Sequence, residues 1–451
     1  MGLRSIRQPL MLRVSIAVTL DSHDNERIPN SLFIPLRASS FMPSDRSTPV
    51  QRVLPVVMCF SLVFLFASRI CAGEPTKVWF EKRQLTDKYY CDGVATGDID
   101  KDGHLDIVAG PFWYAGPSLE KANAFYKPVA LEPAKSPSNS MFSLVHDLNG
   151  DGWLDILVLG RVHVHKAYWY ENPGPPKNEL WKKHFVADRV KGESPQLVDI
   201  NRDGRPELIT HDERQWGWLT PQETDPTQPW KFVPVTKPAK YNQWYHGTGV
   251  GDVNGDGRLD LILNDGWWQQ PEDASQTPWK EHKFKFSKNR GGAQMFAEDL
   301  NGDQKADIVT SLDAHGWGLA WFEQQSPTKF REHKIMGNRS ELSKYKVAFT
   351  QPHALAFVDV DGDGLKDIIT GKRRWAHGPK GDTEPDADPV VYWFRQVRTA
   401  NEAARFEPHL IDEQSGIGVQ IVVADVNEDG LPDVLTTSKL GTFVFYQRRG
   451  E

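Results

Sequence analysis

Short apolar runs alternate along this chain with acidic, glycine-containing turns. The run GVATG precedes the first such turn and IVAG follows it; QIVVA and VLTTS flank the last. Runs of four to six residues rich in Val and Ile, bounded by Gly and Asp, predict β-strands. A second, aromatic run comes later in most units: AYWYE, LAWFEQ, VYWFRQ, FVFYQ. A further segment of the form W-x-x-H, or close to it, then follows, as in WKKHFVA, WKEHKFKF and FREHKIM. That makes about four strands per unit, the content of one propeller blade.

The turns share one pattern, D-x-[DN]-x-D-G-x-x-[DE], in seven copies. Their first aspartates lie 49, 52, 53, 47, 60 and 66 residues apart, a period that implies a solenoid, a propeller or an array. The ends of the chain select among these. VWFEKRQL reads as the outer strand of a blade lacking its first three, and the chain stops at FVFYQ, where an outer strand should begin. The two ends would complete one blade between them. Closure removes exposed sheet edges, whereas a solenoid needs capping ends. The expectation is an all-β, seven-bladed β-propeller over residues 77–447, closed by its N- and C-terminal strands.

Composition adds little to this except at the N-terminus. Sixteen Trp, 36 Gly and 31 Pro suit short strands and tight turns. The net charge of −7 is mild, and without a basic block nucleic acid is not an expected partner. The one long apolar run, Val53 to Ala67, is too short for a comfortable span, which needs roughly 20 residues. Arg52 precedes it, and Ala72 and Gly73 follow at a cleavage-like position, the layout of a secretory signal. Met42 would open a signal peptide of 42–73, with residues 1–41 unstructured or lying before the true start. The protein is therefore expected to be exported, with no membrane span after signal removal. Cys91 would then be its sole cysteine, leaving no internal disulfide.

Seven such loops, spread from Val94 to Tyr446, resemble the FG-GAP/VCBS-repeat family of β-propellers. The loops themselves carry candidate metal ligands at positions 1, 3, 5 and 9. In the first three copies these are Asp98, Asp100, Asp102 and Asp106; Asp147, Asn149, Asp151 and Asp155; and Asp199, Asn201, Asp203 and Glu207. The next two supply Asp252, Asn254, Asp256 and Asp260, then Asp299, Asn301, Asp303 and Asp307. The last two supply Asp359, Asp361, Asp363 and Asp367, then Asp425, Asn427, Asp429 and Asp433. Oxygen donors around a sharp Gly turn suit calcium, so several structural calcium ions are expected. Gln304 replaces the turn glycine in one loop, where a left-handed backbone costs about 1 kcal/mol, so that loop is expected to be distorted or empty. Glu207, following Pro206, is a longer carboxylate that should still reach.

Aligning the units on their first aspartate exposes a second set of candidates. Six residues earlier stand Asp92, Met141, Glu193, His246, Ala293, His353 and Val419, where the inner strands should begin. Twelve to eighteen residues later come Arg161, His211, Asp265, Trp268, Asp313, His315, Trp317, Lys372, Arg373, Trp375, His377 and Lys439. His, Arg, acid and Trp together are the composition of a polar ligand site with aromatic walls, on the face opposite the loops.

Two functions fit. In a carbohydrate-binding module, Trp268, Trp317 and Trp375 would stack on sugar rings, while Arg161, Asp92, Asp265, Lys372 and His377 hold polar groups. In an enzyme, His246, His353, His211, His315 and Glu193 would hold a transition metal or act as acid and base, with Arg373 neutralising a carboxylate. A sugar lyase or dehydratase matches that chemistry. GKRRWAHGPKGD, preceded by QPHALAFVDVDGDG, resembles the propeller domain of aldos-2-ulose dehydratase-type proteins. A third possibility is a protein–protein adhesion module, since integrin heads use similar repeats.

Overall fold

A computed structural model describes residues 77–450 apart from 136, 161–165, 176–178, 288–290 and 400–402, all within the unit Cys71–Glu451. Residues 1–41, the segment 42–73, Arg161, His163 and His165 lie outside the described residues. No helix among the described residues is long and apolar enough to cross a membrane.

The strands form antiparallel four-strand meanders, five as separate sheets and two joined in one eight-stranded sheet. The inner strands are Val94–Gly97, Phe142–His146, Leu197–Val198, Thr248–Gly251, Gln294–Glu298, Leu355–Val358 and Ile421–Ala424. Each passes through an acidic loop into a second strand, then a third and an outer fourth. The last meander is completed from the other end of the chain. Lys77–Thr86 pairs antiparallel with Gly441–Gly450, placing Phe80 opposite Gln447. The fold is all-β and of the propeller type.

Second strands such as Asp155–Leu159 (DILVL) are buried throughout. The reason is that meanders pack face to face: Leu157 and Trp169 of one share a core with Leu208, Leu219 and Trp230 of the next. The last core unites Ile369 and Trp393 with Val434, Phe445 and, from the opening strand, Val78 and Phe80. The inner strands crowd one another, and glycine permits it at two places. A Cβ on Gly249 would lie 2.1 Å from the Met295 carbonyl oxygen, and one on Gly418 would lie 2.0 Å from that of Asp92. The second approach brings the last inner strand beside the first, where Val419 N–H donates to the Asp92 carbonyl.

The ninth residue of each acidic loop has a structural task that its place in a ligand pattern did not reveal. Asp106, Asp155, Glu207, Asp260, Asp307, Asp367 and Asp433 are fully buried. One carboxylate oxygen accepts the N–H of the loop's second residue, at 2.7 to 3.2 Å. In six of them the other oxygen accepts an N–H from the far part of the third strand or just beyond it, at Gly116, Asn172, Gln270, Gln324, Gln396 or Gln447. The last five of these residues also reach, by their side-chain amides, a loop carbonyl of the preceding meander: Ile99, Ile200, Val253, Leu300 and Val360. Six of the carboxylates therefore tie their own loop to its third strand, and five do so through a residue whose amide also reaches the preceding meander. Burial pushes these carboxyls up, to about 6 for Asp106 and Asp433 and about 7 for the other five, against the pull of the N–H donors.

The loop with Gln304 is not distorted. Gln304 takes φ 66° and its N–H still donates to Asp299 Oδ2 at 2.9 Å, as the turn glycine does elsewhere. Glu207 accepts the Ile200 N–H at 3.0 Å, as the aspartate at this position does in the other loops.

Candidate functional site

The residues that open the inner strands converge at the end of those strands opposite the acidic loops. Glu193, His246 and His353 come from three such openings and His315 from the turn after a second strand. Their donor atoms all lie within 4.8 Å of one another. His315 Nε2 is 3.1 Å from His246 Nε2, and Glu193 Oε2 is 3.2 Å from Nε2 of both His246 and His353. His246 and His353 are fully buried, and Glu193 nearly so.

Their hydrogen-bonding roles conflict unless something positive lies between them. His246 Nδ1 faces the Trp244 carbonyl oxygen at 2.6 Å, so that nitrogen carries a proton. In the neutral ring Nε2 is then a lone pair, aimed at a carboxylate oxygen and a second imidazole nitrogen. His353 Nε2 faces the same carboxylate and also Arg373 Nη1 at 3.0 Å. Protons are a poor remedy here. Burial and then Arg373 hold His353 down at about 4, and burial and the neighbouring imidazoles push His315 lower still. Four donors around a tetrahedral ion at bond lengths of about 2.0–2.1 Å would stand about 3.3 Å apart, close to the spacing of the contacts here.

Glu193 and His315 also line a cavity of about 280 Å³, with Trp244, Arg373, His377 and Lys439 around it. Arg373 is 2% exposed, and its Nη2 lies 3.4 Å from Asp92 Oδ1. Asp92 also accepts hydrogen bonds from Tyr89 Oη (2.7 Å) and from Ser138 N and Oγ (3.0 and 2.8 Å). Burial opposes its ionisation, but Arg373, Lys439 and these donors hold its carboxyl below the ordinary value. Lys439 lies 4.4 Å over the Tyr89 ring, and burial brings its ammonium down to about 8 despite Asp92. Arg373 and Lys439 thus bring two cations to a wall that also carries Glu193, with Asp92 behind Arg373.

Other candidates lie apart. His211 ends a second strand and packs on Trp216 at 4.6 Å, outside the histidine group. Trp268 is core, in a third strand with Trp216 and Trp218 around it. Trp317 bridges Thr350, and Trp375 Nε1 donates to the Pro385 carbonyl at 2.9 Å; neither lines the cavity. Asp265 accepts from Tyr245 Oη at 3.0 Å, and Lys372, 1% exposed, donates to Thr350 Oγ1 at 2.5 Å. His377 does line the cavity, held by Asp382. Trp244 and Tyr89 went unsingled in the sequence; each lies two or three residues before a charged position at an inner-strand opening, a signal too short to read alone.

The acidic loops differ among themselves. In the first, Asp98, Asp100 and Asp106 bring oxygens together, and Oδ1 of both Asp98 and Asp100 is buried with no hydrogen-bond partner. Asp359, Asp361 and Asp367 form a similar group, but Arg395 bonds both Asp361 and Asp363. Arg448 and Lys305 similarly hold Asp429 and Asp303.

Four-strand meanders, each turning through an acidic loop, define a repeat protein of the propeller class. A family model for the FG-GAP-like repeat matches residues 147–210 and 299–370, two stretches of this chain. Among solved structures it is similar to an Agrocybe aegerita lectin that recognises non-reducing terminal N-acetylglucosamine, at 16% identity and TM-score 0.44, over 82% of this chain and 93% of that one. An exotype rhamnogalacturonan lyase is similar at 12% identity and TM-score 0.41, over 83% and 73%. A biofilm matrix protein of V. cholerae follows at 11% and 0.37, over 84% of each. None of these likenesses bears on ligand or activity. No curated protein matches the chain.

Proposed function

We propose that this is an exported, seven-bladed propeller, stapled by calcium, whose central cavity holds one divalent transition metal and acts on a carboxylated sugar. One observation carries the central reading: three imidazole nitrogens and a carboxylate oxygen lie within 4.8 Å of one another, with His246 Nε2 at 3.1 Å from His315 Nε2 and Glu193 Oε2 at 3.2 Å from Nε2 of both His246 and His353. Three His and one Glu suit zinc or a neighbouring first-row ion. Such an ion would supply Lewis-acid polarisation of a substrate oxygen. His246 is already oriented for it by the Trp244 carbonyl, the outer contact that fixes a ligating imidazole.

The rest of the cavity favours a sugar acid over a neutral sugar. Arg373 and Lys439 neutralise a carboxylate, as proton abstraction beside a carbonyl requires. Among the described residues a single indole, Trp244, lines the cavity, which favours lyase or dehydratase chemistry over a stacking module. Calcium in the loops is supported best at Asp98, Asp100, Asp102 and Asp106, where two acceptor oxygens have no partner. Export rests on Arg52 and the apolar run Val53 to Ala67.

Elemental mass spectrometry of protein purified without a histidine tag tests the reading. About one transition-metal ion per chain beside calcium is expected, together with unsaturated product from a uronate-containing polysaccharide, detected by ultraviolet absorbance. Calcium alone would overturn it.

A further inference from the structure

We propose a second ligand site, for a neutral saccharide, in the crevice between the first two meanders at their acidic-loop end. It is separate from the histidine cavity and does not rest on the metal reading. The crevice encloses about 520 Å³, within the range of small-molecule sites. Three indoles line it: Trp113 from a third strand, Trp153 from the second acidic loop, and Trp181 from just before an outer strand. All three are half-buried, so part of each ring meets solvent. Trp153, Trp181, Asn172, Pro173, Glu179 and Leu180 also line an adjoining depression of about 460 Å³. The crevice is thus one end of a longer groove.

The indoles have different tasks. Lys101 Nζ lies 4.3 Å over the Trp153 ring, and a Cβ on Gly174 would come within 3.0 Å of the same indole. Trp153 is clamped and forms the fixed floor. Trp113 and Trp181 are the platforms. Beside them stands Asn123, paired across the strands with Trp113, and its Nδ2 is buried with no hydrogen-bond partner. Such a donor costs about 1–3 kcal/mol unless a ligand or water satisfies it.

Flat aromatic rings beside a side-chain amide match a pyranose, whose C–H face packs on an indole while its hydroxyls take hydrogen bonds. Charge separates this ligand from that of the central cavity. Here Lys121 shares the lining with Asp100 and Glu179, and the adjoining depression adds Asp151, Glu171 and Lys182, so carboxylates outnumber cations. An acidic sugar gains nothing from such a balance. The two sites together suit a polymer, gripped by neutral residues in the groove while an acidic residue occupies the cavity.

The test is a glycan array of neutral and acidic oligosaccharides, followed by tryptophan-fluorescence titration with the strongest neutral one. Trp113→Ala and Trp181→Ala are each expected to weaken that neutral binding at least tenfold. The double variant His246→Ala/His353→Ala should leave it within about twofold, as should stripping the protein of transition metal. If Trp181→Ala melts early, Asn123→Ala keeps every indole and should still weaken binding several-fold. Absence of any neutral binding by the wild-type protein, or neutral binding that survives these groove substitutions, would overturn the proposal. Neutral binding lost only in the histidine double variant would place the sugar in the central cavity, and overturn it too.

Discussion

Two groups of histidines in this protein differ in how their nitrogens are used. His184, His282, His333 and His409 sit on outer strands, each directly opposite a third-strand tryptophan: Trp169, Trp267, Trp321 and Trp393. Their rings stack at 4.0 to 4.7 Å. Nε2 of His184 and His333 meets Glu171 and Glu323 at 2.7 Å, and that of His282 meets Gln269 at 3.1 Å. In these three the visible demand of the ring is met within one meander. The central His246, His315 and His353 instead turn their Nε2 atoms toward one another, toward Glu193 and, for His353, toward Arg373, drawing on several meanders at once.

The largest expected effect lies in the central group. His246→Ala should lower transition-metal affinity at least a hundredfold, to near-zero content by elemental analysis, with the far-ultraviolet circular dichroism unchanged. His333→Ala should leave metal content untouched. If both variants lose the metal alike, the division between the groups fails.

A second contrast divides the acidic loops. Asp98 and Asp100 carry unpartnered oxygens, whereas Asp361 and Asp363 already hold the Arg395 guanidinium. Calcium at a hundred times its dissociation constant stabilises a fold by about 2.7 kcal/mol per site. Differential scanning calorimetry with and without a chelator should show Asp98→Asn removing more of that gain than Asp361→Asn. Equal losses would mean that the guanidinium does not compete.

A smaller effect follows from the cavity wall. Burial lowers Lys439 to about 8, so its folded value lies below its unfolded one. The charge is present below that pH and lost above it. Affinity for a uronate oligosaccharide should therefore fall about tenfold between pH 7 and 9, where an unperturbed lysine would hold its charge. Lys439→Arg should flatten the profile. A wild-type profile flat to pH 10 would remove Lys439 from the ligand's surroundings.

Much of this was legible because the acidic loop supplies a ruler. Counting six residues back from each first aspartate reached Glu193, His246 and His353 from three distant units, and the count held because inner strands have little room to vary. Counting forward held less well, since the turn after the second strand varies. Between Leu263 and Gly266 it is so tight that Trp267 and Trp268 are already in the third strand, hence core. After Gly371 the chain makes a long excursion before Val391, which leaves Arg373 and His377 free to line the cavity. His211 fails for a related reason: it still belongs to its strand and packs on Trp216. The groove at Trp113 and Trp181 was invisible because it forms between units, and a repeat alignment compares each unit only with itself.

The smallest effect is the sharpest check on the outer group. If His282 serves only to stack and to meet Gln269, His282→Phe should keep the stack on Trp267 and change stability by less than about 1 kcal/mol, near the worth of an aromatic pair. Burial lowers the His282 pKa, so the native state favours the neutral ring. That contribution is present above the ordinary histidine value and lost as pH falls through the lowered folded one. The phenylalanine variant should accordingly lose less stability than wild type on acidification below pH 6.5, read as a smaller drop in urea midpoint. A large loss at neutral pH would mean that this nitrogen does more than its visible partner requires, and that the outer and central histidines are not separate kinds.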